Sequence, residues 1–175
     1  MTTDGGFDWR EFLGRWQAEW VPDEHGTQRE RLGEPPAPED AIAAAERRLG
    51  TRLPPSYREF LAASDGWWVD ATAEVYRLGG AREIDWFGDQ YGHTETYEEL
   101  LDERSTDEDR LMAGMWRRAL RLETESDMSH ALLDPGDVGA DGEWALYVYK
   151  GWSGEFPDRY PSFRAYMEAR YRSFH

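Results

Sequence analysis

Asp134, Asp137, Asp141 and Glu143 are spaced like the oxygen ligands of a calcium loop, in which a hard cation takes carboxylates from alternating positions. Counting twelve from Asp137 puts Val148 where a bidentate Glu should close the shell, so an acidic turn between strands fits better. Gly151-Trp152-Ser153-Gly154-Glu155 resembles a nucleophile elbow, but Glu155 stands where the second glycine is required, and no apolar strand-turn-helix frames it. Glu83, Asp85 and Asp89 could pair as glycosidase carboxylates do, yet among 36 Asp and Glu such pairs arise by chance. The four histidines, at 25, 93, 130 and 175, lack i, i+4 spacing, and there is no cysteine, so zinc finds no ligand set. His130 is expected to be a strand residue with a hydrogen-bond partner. Gly79-Gly80 is followed by neither Lys-Ser/Thr nor a long apolar helix and cradles no phosphate. The expectation is a chain without catalytic residues, cofactor or metal.

What remains is the chemistry of recognition. The 36 acids stand against 20 Lys and Arg, a net charge of -16, which disfavours direct contact with nucleic acid or an anionic membrane. An acidic surface instead accelerates encounter with a basic protein, although net charge also simply keeps a protein soluble. The most polarised stretch runs from Gly88 to Asp109, nine acids against Arg104. Asp89, Glu98, Glu99, Asp102, Glu103, Asp107, Glu108 and Asp109 are therefore candidate partner contacts, with a solvated face as the plain alternative. Trp67 and Trp68 are adjacent on an expected strand, where neighbours point to opposite faces, so one should be buried and the other free to anchor a partner.

These residues need a scaffold, and 175 residues suffice for one core. Nine Trp, nine Tyr and seven Phe show that the core is aromatic, despite few aliphatic residues. Trp9, Phe12, Leu13, Trp16 and Trp20 share one face of a leading helix at 7–20. A Pro- and Gly-rich loop follows to Pro38. Residues 39–64 form a helix pair: Ile42, Ala45 and Leu49 point inward, Gly50 stops the first helix, and Pro55 starts a second carrying Tyr57, Phe60, Leu61 and Ser64. The region 67–150 is a sheet, mainly antiparallel, with strands expected at 67–70, 74–78, 83–87, 119–124, 129–133 and 144–150 and the acidic insertion at 88–109. Thr96 and Glu99 have capping-box spacing, with Leu100 and Leu101 to bury under a short helix. In the last strand Leu146 and Val148 face opposite to Tyr147 and Tyr149, so both sides of the sheet should be covered. A terminal helix at 162–174 places Phe163, Tyr166, Met167, Arg170 and Phe174 on one face. The fold class is α+β, with about five to six strands packed against helices in a single domain.

The run Glu39-Asp40-Ala41-Ile42-Ala43-Ala44-Ala45-Glu46-Arg47-Arg48-Leu49-Gly50, then Leu53-Pro54-Pro55-Ser56-Tyr57-Arg58-Glu59-Phe60-Leu61 and Ser64-Asp65-Gly66-Trp67, resembles the SUKH superfamily of cell-wall regulators and killer-toxin-resistance proteins. Glu46, Leu49, Gly50, Leu53, Pro54, Tyr57, Phe60, Leu61 and Gly66 carry the resemblance and have a structural explanation as two packed helices and a turn. The resemblance implies an immunity protein that binds and neutralises a cognate bacterial toxin domain, often a nuclease, encoded nearby. Nineteen Arg against one Lys suit a GC-rich bacterial genome. A regulatory scaffold with an endogenous partner is the alternative, and an acidic hydrolase a remote one. The start has no basic and apolar leader, and the expected location is the cytoplasm.

Overall fold

The structure is a computed structural model and describes residues 6–21, 30–69, 74–88, 99–153 and 155–173. Helix α1 spans Trp9–Glu19 and is capped by Asp8, whose Oδ1 accepts from the amides of Arg10 and Glu11 at 2.9 and 3.0 Å. Its face of Trp9, Phe12, Leu13 and Trp16 is buried, as the spacing requires. Helix α2, Glu39–Leu49, stops at Gly50, whose φ of 72° belongs to the left-handed region that a side chain would resist. Helix α3, Pro55–Ala63, starts on the proline that needs no amide hydrogen there. Glu46 holds the joint between them, its Oε1 accepting from the Leu53 amide and from Arg58 Nε, each at 3.1 Å.

Among the described residues eight strands form two antiparallel sheets. One holds β1 (Trp67–Trp68), β2 (Val75–Leu78) and β5 (Glu123–Ser126) in the order β1-β2-β5. The other runs β3 (Asp85–Trp86), β4 (Leu120–Arg121), β6 (Ser129–Val138), β7 (Trp144–Lys150) and β8 (Asp158–Tyr160), in that order. The chain is thus an α+β domain, closed by α4 (Asp107–Arg118) and α5 (Phe163–Ser173).

Several boundaries differ from those the sequence suggests. The single strand expected at 119–124 is two, because Leu122 is the hinge between the sheets: its amide donates to Ala131 O at 2.9 Å and its carbonyl accepts from Gly79 N at 2.8 Å. The strand expected at 83–87 shrinks to Asp85–Trp86, since Ala81 to Glu83 turn under hydrogen bonds from the Glu83 and Ile84 amides to Gly80 O. Strand β6 runs on from 133 to Val138, and β8 is too short to show any alternation. The acidic insertion does not end at 109, because Asp107 to Asp109 are the first turn of α4. Thr96 and Phe174 lie outside the described residues.

Strand β7 has apolar contacts on both faces. Leu146 and Val148, with Leu133 of β6, join the main cluster that holds α1, α3 and α5. Ala145 and Tyr147, with Leu132, meet Phe87, Met115 and Trp116 under α4 in a second cluster. Aromatic rings dominate the first: Phe163 lies 4.8 Å from Tyr57 and 4.9 Å from Phe60 between ring centroids, and Trp9 5.6 Å from Phe60.

The described acids that suggested chemistry are held by protein donors, and Asp89 lies outside the described residues. Asp134 pairs with Arg118, Asp137 with Arg159 and the Tyr147 hydroxyl, and Asp141 accepts from the Glu143 amide. Glu143 in turn accepts from the Ser56 amide and hydroxyl, both at 2.8 Å, and so closes the start of α3. Glu83 meets Arg77 at 2.9 and 3.1 Å, and Asp85 lies 3.6 Å from Arg48. His130 Nδ1 lies 2.7 Å from the buried Glu123 carboxylate, which also accepts from the Ala131 amide at 2.8 Å.

Candidate functional site

Helix α4 and the segment before it bring the described part of the acidic run next to apolar surface. Thr106 and Asp109 form the capping box: Thr106 Oγ1 accepts from the Asp109 amide at 3.1 Å, and Asp109 Oδ2 accepts from the Thr106 amide at 2.7 Å. Hydrogen bonds from the Thr106 amide and hydroxyl hold the Asp109 carboxyl below its ordinary 3.8. Asp107, Glu108 and Asp109 complement the positive end of the helix, and Arg117 and Arg118 its negative end. Upstream, Asp102 Oδ1 accepts from the Arg104 amide at 2.7 Å, and Arg110 reaches back to Ser105 O at 3.1 Å, folding the segment against the helix.

The inner face of α4 carries Ala113, Met115 and Trp116 onto the sheet. Trp116 meets Phe87 at 4.4 Å and Tyr149 at 4.8 Å between ring centroids, both edge to face. Between α4, the residues before it and the end of β7 lies an open groove of about 480 Å³. Leu101, Met112, Trp116 and Tyr149 line its floor, while Glu108, Asp109 and Glu155 stand among its walls. Leu100 and Phe156, also lining it, are 70% and 39% exposed. Such a concavity offers an incoming protein apolar area to cover and carboxylates to attract cations.

Of the expected contacts, Glu99, Asp102, Glu103, Asp107, Glu108 and Asp109 are all exposed on this segment and helix. Asp89 and Glu98 lie outside the described residues. The short helix expected to bury Leu100 and Leu101 does not do so: Leu100 faces solvent and Leu101 is half-buried in the groove. Trp67 is 3% exposed and packs 5.7 Å from Trp16, with the Gly33 backbone so close that a Cβ there would overlap its ring. Trp68 is half-buried, with the Arg77 guanidinium 5.8 Å from its ring centroid. Trp68 is therefore the member of the pair with surface to offer. The tryptophans sit on β1 of the three-stranded sheet and the acids around α4 over the five-stranded one, so the two groups are not brought to one element. Sequence reasoning missed the floor of the groove. Its signal was the spacing of Met112, Ala113 and Trp116 after an acidic first turn, a helix pattern that the charge run obscured.

Residues 36–169 match the SMI1 / KNR4 family (SUKH-1). The chain belongs to this family. No curated protein matches it. In this SUKH-1 domain the matched span takes in both sheets, the Glu46 joint and the groove, whereas α1 precedes it. Among the described residues no helix is long and apolar enough to cross a membrane.

Proposed function

We propose that this SUKH-1 chain is an immunity protein: it binds a cognate toxin domain of basic surface and neutralises it by occlusion, without chemistry of its own. The observation that carries this is the groove beside α4, where Leu101, Met112, Trp116, Tyr149 and Phe156 form an apolar bed next to the carboxylates of Glu108, Asp109 and Glu155. The exposed acids Glu99, Asp102, Glu103 and Asp107 extend that field toward solvent and steer a cationic partner in, while the apolar bed supplies the affinity that screened surface charges cannot. Family membership supports the immunity role, and the net charge of -16 supports a basic partner over nucleic acid or lipid. The site of action is the cytoplasm, where the toxin would otherwise act.

Co-expression with the product of the adjacent open reading frame, followed by co-purification and a growth-protection assay, tests this. A stable complex and restored growth are expected. A toxic neighbour that neither co-purifies nor is neutralised overturns the proposal.

A further inference from the structure

Met128 is the only non-glycine residue with a positive φ among those described, at 73°. With Asp127 it joins β5 to β6 where the chain leaves one sheet for the other, a position that glycine or asparagine fills at lower cost than methionine. Its backbone is held by neighbours: the Asp127 amide donates to Glu74 O at 3.2 Å, and Gly151 N donates to Met128 O at 3.3 Å. The side chain adds little packing in return, being 73% exposed. A strained, solvent-facing apolar residue gains the fold nothing, so its value lies in something outside the fold.

Trp152 is beside it. Gly151 approaches so closely that a Cβ there would lie 2.7 Å from Met128 O, and Trp152, the next residue, is 62% exposed. Carboxylates flank the pair along the chain, exposed Glu125 and half-buried Asp127 before Met128 and exposed Glu155 after Trp152. Lys150 is paired with Glu74 and Asp158 at 3.5 and 3.1 Å, and Arg170 with Glu74 at 3.3 Å. A Cβ at Gly151 would also lie 3.7 Å from the Tyr149 ring, and Tyr149, with Glu155 and Phe156, lines the groove beside α4, so the patch adjoins that groove.

We infer that Met128 and Trp152 are a second anchor pair on the same docking face, seated in an apolar pocket of the basic partner that is bordered by Lys or Arg. Flexible methionine fits an uneven pocket, and tryptophan supplies large contact area at small entropic cost. This rests on the immunity role proposed above.

The test uses the full-length chain and the purified product of the adjacent gene, comparing the parent with Met128→Gly, Met128→Asn and Trp152→Ala. Gly and Asn both accept the left-handed turn, so the two Met128 variants should melt at or above the parental temperature while Kd rises about tenfold or more, mainly through faster dissociation. Trp152→Ala should weaken binding similarly at an unchanged melting temperature. Variants that bind as the parent does overturn this inference alone. A fall in melting temperature of the Met128 variants also overturns it, because the side chain would then serve the fold. A parent that does not bind overturns the immunity role and this inference together.

Discussion

Arg118, the last residue of α4, grips Asp134 of β6 with Nε at 2.6 Å and a terminal nitrogen at 2.7 Å, and the Asp134 side chain is fully buried. Hydrogen bonding to Asp134 raises the already high Arg118 pKa, so the guanidinium stays charged at any working pH. Asp134 also accepts from the Gly136 amide at 2.8 Å, and a Cβ at Gly136 would run into the guanidinium. This contact pins the helix that forms one wall of the groove. Arg118→Ala leaves a buried carboxylate without its cation and should cost about 2 kcal/mol, less than a fully buried pair because Arg118 is partly hydrated. Gly136→Ala should act in the same direction by pushing Arg118 aside. Urea midpoints of the three proteins measure this, and parental stability for both variants would remove the pair from the account.

The helix pair at 39–64 is scaffold, and Phe60 illustrates it. Its fully buried ring stacks with Tyr57 and meets Phe163 and Trp9, so Phe60→Ala should cost about 3–5 kcal/mol. The variant should melt well below the parent yet bind its partner normally at low temperature wherever it stays folded. Parental melting combined with lost binding would make Phe60 a contact.

Helix α1 lies outside the family match but inside the core. Trp9, Phe12, Leu13 and Trp16 are all buried, with Phe12 5.4 Å and Trp16 5.7 Å from the Tyr171 ring of α5. Removing residues 1–20 exposes that aromatic surface, and each lost side chain forfeits about 1.5–3 kcal/mol of burial. The truncated chain should be insoluble or lack a cooperative melt. A parental melting curve would show that the chain folds without α1.

Lowered carboxylates and raised tyrosines shape the pH profile, and Glu83, Asp137 and Tyr147 illustrate both limbs. Hydrogen bonding from Arg77 holds Glu83 below its ordinary 4.5, and hydrogen bonding from Arg159, then Tyr147, holds Asp137 below its ordinary 3.8. Carboxylates with depressed folded-state values stabilise the protein above the unfolded value, and that contribution disappears as pH falls through the folded one. Burial first, then the bond to Asp137, pushes the Tyr147 phenol up to about 12. A raised phenol stabilises fully below 10 and loses that stabilisation as pH climbs toward 12. Stability should therefore be flat from about pH 5 to about pH 9 and fall on both sides. Arg77→Met with Arg159→Met should make the acid limb shallower, and Tyr147→Phe the alkaline one, in urea midpoints across pH. Limbs identical to the parent's would show that other groups set the profile.

The helices with apolar spacing and plain stops were legible. Gly50 and Pro55 mark boundaries through local backbone chemistry, which a sequence displays directly. The opposed faces of β7 were legible for the same reason, since alternation is local. The division of 119–126 between two sheets was not, because it is decided by Leu122 bonding to both Ala131 and Gly79, partners distant in sequence. Helix α4 was hidden behind its own acidic first turn. The site was half legible: charge pointed to the segment before α4, while the apolar bed needs Tyr149 and Phe156 folded next to Met112 and Trp116. Nothing in the sequence singles out Met128, whose interest is a backbone angle.

The central claim is that the acidic groove recruits a basic protein, and association kinetics against ionic strength test it most directly. The variant carries Glu99→Gln, Glu103→Gln, Asp107→Asn and Glu108→Gln, which spare the Thr106–Asp109 capping box. Stopped-flow mixing with the adjacent gene's product should give an association rate about tenfold lower than the parent's at low salt. Its salt dependence should be shallower, dissociation little changed and the circular dichroism spectrum identical. The same association rate and the same salt slope in both proteins would contradict the account.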